Sequence, residues 1–220
     1  SRDGKTATFQ LRKGVTFHNG KEMTSADIVA SLRRFTALAN RGKVIAGRLD
    51  DIKARDKHTV VMTFKQPTGR LPLFLAMGEG IMMPEEIATK YMKEQLREFV
   101  GTGPFKFVER QPDRFTKLTR FDNYATQRGE PNGWVGRKTA YLDEILVMPV
   151  PEDSVRADGV ITGEYHFGEL LNPDSYDSLK SNPGVDAYIV KPYFWSAIHF
   201  NKKQGMFTDL KMRKAFKLAI

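Results

Sequence analysis

FQLRKGVTFHNGKEMTSADIVASLRRF, Phe9 to Phe35, decides the fold of this chain. Ala7, Phe9 and Leu11 alternate with polar neighbours from Thr6 onward, the period of a half-buried strand. Gly14 and Asn19-Gly20 then supply turns. Thr24, with Asp27 three residues later, is an acidic variant of a capping box and marks a helix start. Ile28, Leu32 and Phe35 follow at spacings of four and three, which puts them on one helical face. A strand needs a partner, and that stripe needs a sheet to cover.

Working outward, Lys57 to Lys65 alternates again, with Val60, Met62 and Phe64 on one side and Val61 and Thr63 on the other, until Pro67 and Gly69 end it. Pro84 before Glu85 and Glu86 opens a second helix, expected to run to about Leu96. Gly101-Thr102-Gly103-Pro104 breaks the pattern and is read as a crossover between lobes. Phe105 to Glu109 and Phe115 to Arg120 make a hairpin around Pro112-Asp113, followed by a Pro/Gly-rich loop from Gly129 to Gly136. Ile145 to Val150 is almost wholly apolar, as in a strand covered on both faces; helices at Ser154 to Thr162, with Gly163 at the C-terminal cap, and at Pro173 to Leu179 are the expected cover. Val185 to Val190 and Trp195 to Phe200 read as strands. Thr208 caps a last helix carrying Leu210, Met212, Phe216 and Leu218, and no stop signal precedes Ile220. The expected class is α/β with α+β character: a mixed sheet with flanking helices, truncated at both ends.

Composition narrows the function. The 220 residues are 40% hydrophobic and 28% charged, enough apolar material for a core. A net charge of +9 favours an anionic partner, but the basic residues are interleaved with acids, as in Lys90, Lys93, Glu94, Arg97 and Glu98. That is a solvated face, not a nucleic-acid stripe. Without cysteine there is no disulfide, thiolate zinc site or thiol nucleophile, which fits an oxidising compartment. No apolar run reaches the roughly 20 residues of a bilayer span, and Ser1 to Gly4 carry no signal-peptide pattern, so an exported protein would have lost its address.

Catalytic and metal chemistry find no pattern. His18, His58, His166 and His199 lack ligand spacing. Gly101-Thr102-Gly103 resembles a phosphate-cradling loop but has no Lys-Ser/Thr after it. Glu85-Glu86 and Asp143-Glu144 are adjacent and diverge, so neither flanks a bond. No catalytic residue, metal ligand or cofactor is assigned.

The opening stretch is similar, nearly position for position, to the signature of the family 5 extracellular solute-binding proteins, the peptide and nickel branch of ABC-transporter receptors. GTGPFKFVE, Gly101 to Glu109, with RFDNYA soon after, looks like that family's second landmark. AYLDEILVMPVPEDSVRADGVITGEYHF, Ala140 to Phe167, resembles the third, and FNKKQGMFTDLKMRKAFKLAI, Phe200 to Ile220, the fourth. Asn19 for a commoner Asp, Gly159 inside a helix and Met206 before Phe207 are the departures.

The resemblance implies a periplasmic-binding-protein-like N-terminal lobe from a longer two-lobed receptor. Residues 1–100 would be a small extra domain, 101–205 the main N-terminal lobe and 206–220 the start of a second lobe. It implies a non-enzymatic receptor, monomeric when full length, that lies in the periplasm or is lipid-anchored outside the cytoplasmic membrane. The receptor would capture a solute reversibly, modally a di- or oligopeptide, and pass it to an ABC permease in the inner membrane. Nickel, glycosides and opines stay open as solutes, and a basic nucleic-acid-binding module is the rival reading.

Likeness also puts Tyr193-Phe194-Trp195 near the cleft, where Phe194 and Trp195 would line it and Ser196 would add a hydroxyl. Core filling is the competing role for these aromatics. Met77 and Gly78 lie between apolar runs where a thioether adapts to varied side chains, with core packing as the alternative. Lys43, with Arg48, is placed in a Gly-flanked loop that by likeness approaches the solute, with a solvated loop as the alternative.

Overall fold

The computed structural model describes residues 1–76, 78–133, 135–191 and 197–219. Its elements, in chain order, are β1 (Thr6–Gln10), α1 (Ser25–Leu38), α2 (Asn40–Ala46), β2 (Leu49–Asp56), β3 (Thr59–Phe64), α3 (Leu71–Leu75), α4 (Glu85–Lys90), β4 (Phe105–Gln111), β5 (Phe115–Arg120), β6 (Glu144–Val147), α5 (Asp153–Thr162), α6 (Tyr176–Ser181) and α7 (Leu210–Ala219). The chain divides into two units, Ser1–Pro149 and Val150–Ile220.

In the first unit the alternation expected from Thr6 and over Lys57 to Lys65 becomes an antiparallel sheet in the order β1-β3-β2, with Phe9 opposite Val60 and Ile52 opposite Met62. Val60, Met62 and Phe64 are buried on one face. Against it lies the predicted stripe of α1, where Ile28, Leu32 and Phe35 join Ile45 and Ile52 in one core. Each such side chain stabilises the fold by roughly 1.5–3 kcal/mol on burial. A second face of α1 is buried as well. Ala30 packs with Met83, Ile87, Ala88 and Tyr91, and the Ser31 hydroxyl donates to the Met83 carbonyl at 3.0 Å. A helix covered on two sides accounts for Ser25, Asp27, Ser31 and Thr36 being buried and all being hydrogen-bonded.

A second sheet, β4-β5-β6, is antiparallel throughout. Its hairpin turns where Pro112-Asp113 was expected, with Asp113 in the left-handed region at φ 58°. The described part of the second unit is helical. Gly163 ends α5 at φ 80°, as a left-handed cap should. Around α7, Phe200, Phe207 and Phe216 pack with ring centroids 4.5 to 5.7 Å apart.

Several expectations are corrected. The loop assigned around Lys43 and Arg48 is helix α2 running into strand β2. Gly42, which reads as a breaker, lets α2 cross close over the end of α1: a Cβ there would sit 1.9 Å from the Phe35 carbonyl oxygen. Strand β2 was overlooked because Asp50, Asp51, Lys53, Arg55 and Asp56 dominate it, and only Ile52 is fully buried.

The helix expected to reach Leu96 ends at Lys90. The Arg34 side chain takes the carbonyls of Tyr91 and Glu94 at 2.9 and 3.0 Å, supplying donors that a further turn would otherwise have provided. Lys93, Glu94, Arg97 and Glu98 therefore lie on an irregular segment and not on a helix face.

The run Ile145 to Val150 is not covered on both faces. Leu146, Val147 and Met148 are 51%, 54% and 47% exposed, and among the described residues β6 pairs on one side only, with β5. Val185–Val190 joins no ladder among the described residues, and neither do 197–200; Trp195 and Ser196 lie outside them. Thr208 closes a short 3-10 turn, and the α7 cap is Asp209, whose carboxylate accepts the Lys211 N–H at 2.7 Å.

Candidate functional site

Two parts of the opening stretch organise their surroundings. Asp27 is fully buried, and its carboxylate accepts the Thr24 N–H at 2.8 Å and hydroxyl at 3.0 Å, the Glu85 N–H at 2.9 Å and the Lys21 ammonium at 2.8 Å. It therefore caps its own helix and tethers the first residue of α4. Burial alone would push the Asp27 carboxyl up. The Lys21, Glu85 and Thr24 donors outweigh that and hold it below the usual aspartate value. Lys21, which also bonds Glu86 at 2.7 Å, has its ammonium raised by these acids against the opposing pull of burial.

His18 joins two landmarks that are more than eighty residues apart. Its backbone N–H donates to the Gly101 carbonyl at 2.9 Å. The Gly101 N–H donates to its Nδ1 at 3.2 Å, while Nε2 lies 3.1 Å from the Gly103 carbonyl. An Nδ1 that accepts must be bare, so the proton sits on Nε2 and donates to Gly103. The ring packs edge-on against Phe121 at 5.1 Å. Burial pushes the His18 imidazole down, against the pull of the Gly103 carbonyl and with help from nearby Lys106. Gly101 to Gly103, expected to be a crossover, is thus latched to the opening stretch within the first unit.

Beside this latch is an open groove of about 440 Å³. Met82, Met83, Phe99, Phe105 and Leu118 form apolar walls, and Glu98 and Arg110 are charged residues on its lining. Mostly apolar walls with few polar groups suit non-covalent capture of a small molecule. Among the described residues no three His, Asp or Glu side chains come together as metal ligands. Ser25 and Ser31 spend their hydroxyls on the backbone carbonyls of Asp56 and Met83.

Of the contact residues expected from the sequence, Met77, Phe194, Trp195 and Ser196 lie outside the described residues. Lys43 is exposed on α2, and Gly78 is exposed in the turn after α3. Neither lines the groove. The two regions meet through their neighbours, since the Glu79 carboxylate accepts the Arg41 N–H at 3.3 Å. Sequence reasoning missed the His18 latch and the Glu85 arm of Asp27. The motifs containing them stood out, but contact between distant motifs has no local signature.

The model of the bacterial extracellular solute-binding proteins, family 5 Middle, matches residues 1–220. A probable peptide ABC transporter periplasmic-binding protein of Sinorhizobium fredii is 33% identical over 224 residues, 98% of this chain and 41% of its own length. Among solved structures, AgaA of A. tumefaciens in complex with agropinic acid is 26% identical with a TM-score of 0.70, over 83% of this chain and 35% of that one. The periplasmic binding protein DppA of Helicobacter pylori, in complex with the peptide STSA, is 27% identical with a TM-score of 0.68, over 83% and 38%. The chain spans about two fifths of the length of the curated relatives it matches.

Proposed function

The chain belongs to the family 5 bacterial extracellular solute-binding proteins, and from that premise we propose that it is part of the substrate-binding component of an ABC-type uptake system. It captures a small solute reversibly, without covalent chemistry, and hands it to a permease in the inner membrane. The solute is a di- or oligopeptide. The observation that carries this reading is the family match along all 220 residues, together with 33% identity to a peptide transporter's binding protein. An opine is the second reading, favoured by the likeness to AgaA. Nickel and glycosides remain the other family ligands to test. The periplasm, or the outer face of the cytoplasmic membrane, is where such a receptor works, and it works as a monomer. Among the described residues no helix is long and apolar enough to cross a membrane.

The proposal extends to parts. Residues 1–100 form the small extra domain, 101–205 the main N-terminal lobe and 206–220 the entry to a second lobe. Phe194, Trp195, Ser196, Lys43, Met77 and Gly78 are the solute contacts. The exposure of Lys43 and Gly78 leaves them accessible to it. Ligand binding drives closure only by its differential affinity for the closed form.

The test is a thermal-shift and calorimetric screen of the full-length protein against di- to tetrapeptides, opines, nickel chelates and duplex DNA. A peptide present at 100 times its Kd adds about 2.7 kcal/mol of apparent stability. Stabilisation by DNA alone would end the transport reading. Full peptide affinity in both Trp195→Ala and Lys43→Ala would remove those contact assignments.

A further inference from the structure

A second hollow, of about 330 Å³, lies in the Ser1–Pro149 unit away from the His18 groove, and shares no residue with it. Three elements build it. The last turn of α2 gives Val44 and the fully buried Ile45, α3 gives Phe74, and together they line it with apolar surface. Arg48, just past the end of α2, and Arg70, just before α3, are exposed at its lining, with Thr68 between them in the chain.

The backbone around the hollow is firmly held. The Arg48 carbonyl accepts the Lys65 N–H at 2.9 Å, the Arg48 N–H donates to the Ile45 carbonyl at 2.9 Å, and the Thr68 N–H donates to the Gly4 carbonyl at 3.0 Å. The guanidinium groups are not so engaged. Among the described residues neither Arg48 nor Arg70 takes part in an ion pair or a side-chain hydrogen bond, although Arg33, Arg34, Arg120, Arg156 and Arg213 all do. Two uncommitted cations beside an apolar floor are complementary to one chemistry. The arginine fork matches a planar carboxylate, and Val44, Ile45 and Phe74 match a short hydrocarbon or aryl body.

We propose that this hollow is a binding site for a small organic carboxylate carrying an apolar body, separate from the transport site. The proposal does not rest on the transport reading: of its residues only Arg48 belongs to the segment expected to approach the solute, and none is among the solute contacts proposed above. Arg48 and Arg70 hold the carboxylate while the apolar lining excludes water from the body, so both halves of the ligand are needed.

The experiment follows the Val44 and Ile45 methyl resonances of the isotope-labelled full-length protein during titration with 3-phenylpropionate. The comparison probes are 3-phenylpropan-1-ol, acetate and inorganic phosphate. Phenylpropionate should shift both methyls saturably with a Kd on the order of 1 mM. The alcohol, acetate and phosphate should each bind about tenfold more weakly or worse, and so should phenylpropionate to the Arg48→Gln/Arg70→Gln variant. Absence of a saturable shift overturns the site, and so does equal binding of the alcohol or of phosphate. Unchanged affinity in the double variant overturns it too. If that variant does not fold, the comparison of acid and alcohol on the unaltered protein decides alone.

Discussion

Truncating Asp27 to alanine tests the reading of the whole first unit. The side chain is fully buried and holds four donors. Of these, the Lys21 ammonium keeps Glu86 at 2.7 Å and is 38% exposed to water, so its loss costs little. The Thr24 and Glu85 N–H groups, both part-buried, lose their acceptor, and a donor left without one costs up to about 1–3 kcal/mol. The carboxylate's own desolvation penalty disappears at the same time, which leaves a net loss of about 3 kcal/mol. Urea denaturation should show the unfolding free energy falling by that amount, seen as a lower midpoint at an unchanged slope, and hydrogen exchange should show the Glu85 amide losing protection along with α1.

The pH dependence has a definite sign. Asp27 is held below its ordinary value of 3.8, so its contribution is present above 3.8 and lost as the pH falls through the lower folded value. Asp27→Asn should flatten that acid limb. An unfolding free energy within about 0.5 kcal/mol of the parent for Asp27→Ala would refute the reasoning, because surface changes away from such features stay within that range. So would a Glu85 amide that exchanges as slowly as before.

Two further expectations concern the latch and the helix crossing. His18 lies below its ordinary 6.5, so the folded ring stays neutral while the unfolded chain gains a proton. Stability is therefore complete above 6.5 and declines below it by up to about 1.4 kcal/mol per pH unit, until the folded value is reached. That decline should be smaller in His18→Gln, and nitrogen NMR should find Nδ1 unprotonated; an Nδ1-protonated ring at neutral pH contradicts the latch. Gly42→Ala forces a methyl to within 1.9 Å of a backbone oxygen and should cost about 1–3 kcal/mol in calorimetry, whereas at Gly47 the nearest atom is 3.9 Å away and alanine should be tolerated. Equal melting temperatures for the two variants would mean that α2 does not cross α1 as described.

How far the chain could be read depended on whether a feature was local. The stripe Ile28-Leu32-Phe35, the alternation of Val60, Met62 and Phe64, and the cap pair Thr24 and Asp27 repeat a period or a spacing within a few residues. Each appeared where expected. Strand β2 did not show itself, because an edge strand buries little and Ile52 alone carries its pattern. Helix α4 was drawn too long because its end is set by Arg34, fifty-seven residues before Tyr91. The apolar run at Ile145 reads as a covered strand and is not one, because hydrophobicity reports what a segment can bury, not what lies against it. Of the candidate site, Gly101-Thr102-Gly103 is legible as a break between elements, but its bond to His18 is not.

The residues by themselves determined β1, β3 and α1 with the faces they bury and, through four ordered landmarks, the family. Those properties follow from backbone periodicity and short-range sterics, which act between neighbours in the chain. Tertiary structure alone decided that Asp27 would serve two helices, that His18 would hold Gly101 to Gly103, and that Arg48 and Arg70 would come together beside a shared apolar floor. These are meetings of groups far apart in sequence, and their energies exist only once the chain has brought them within hydrogen-bonding or packing distance.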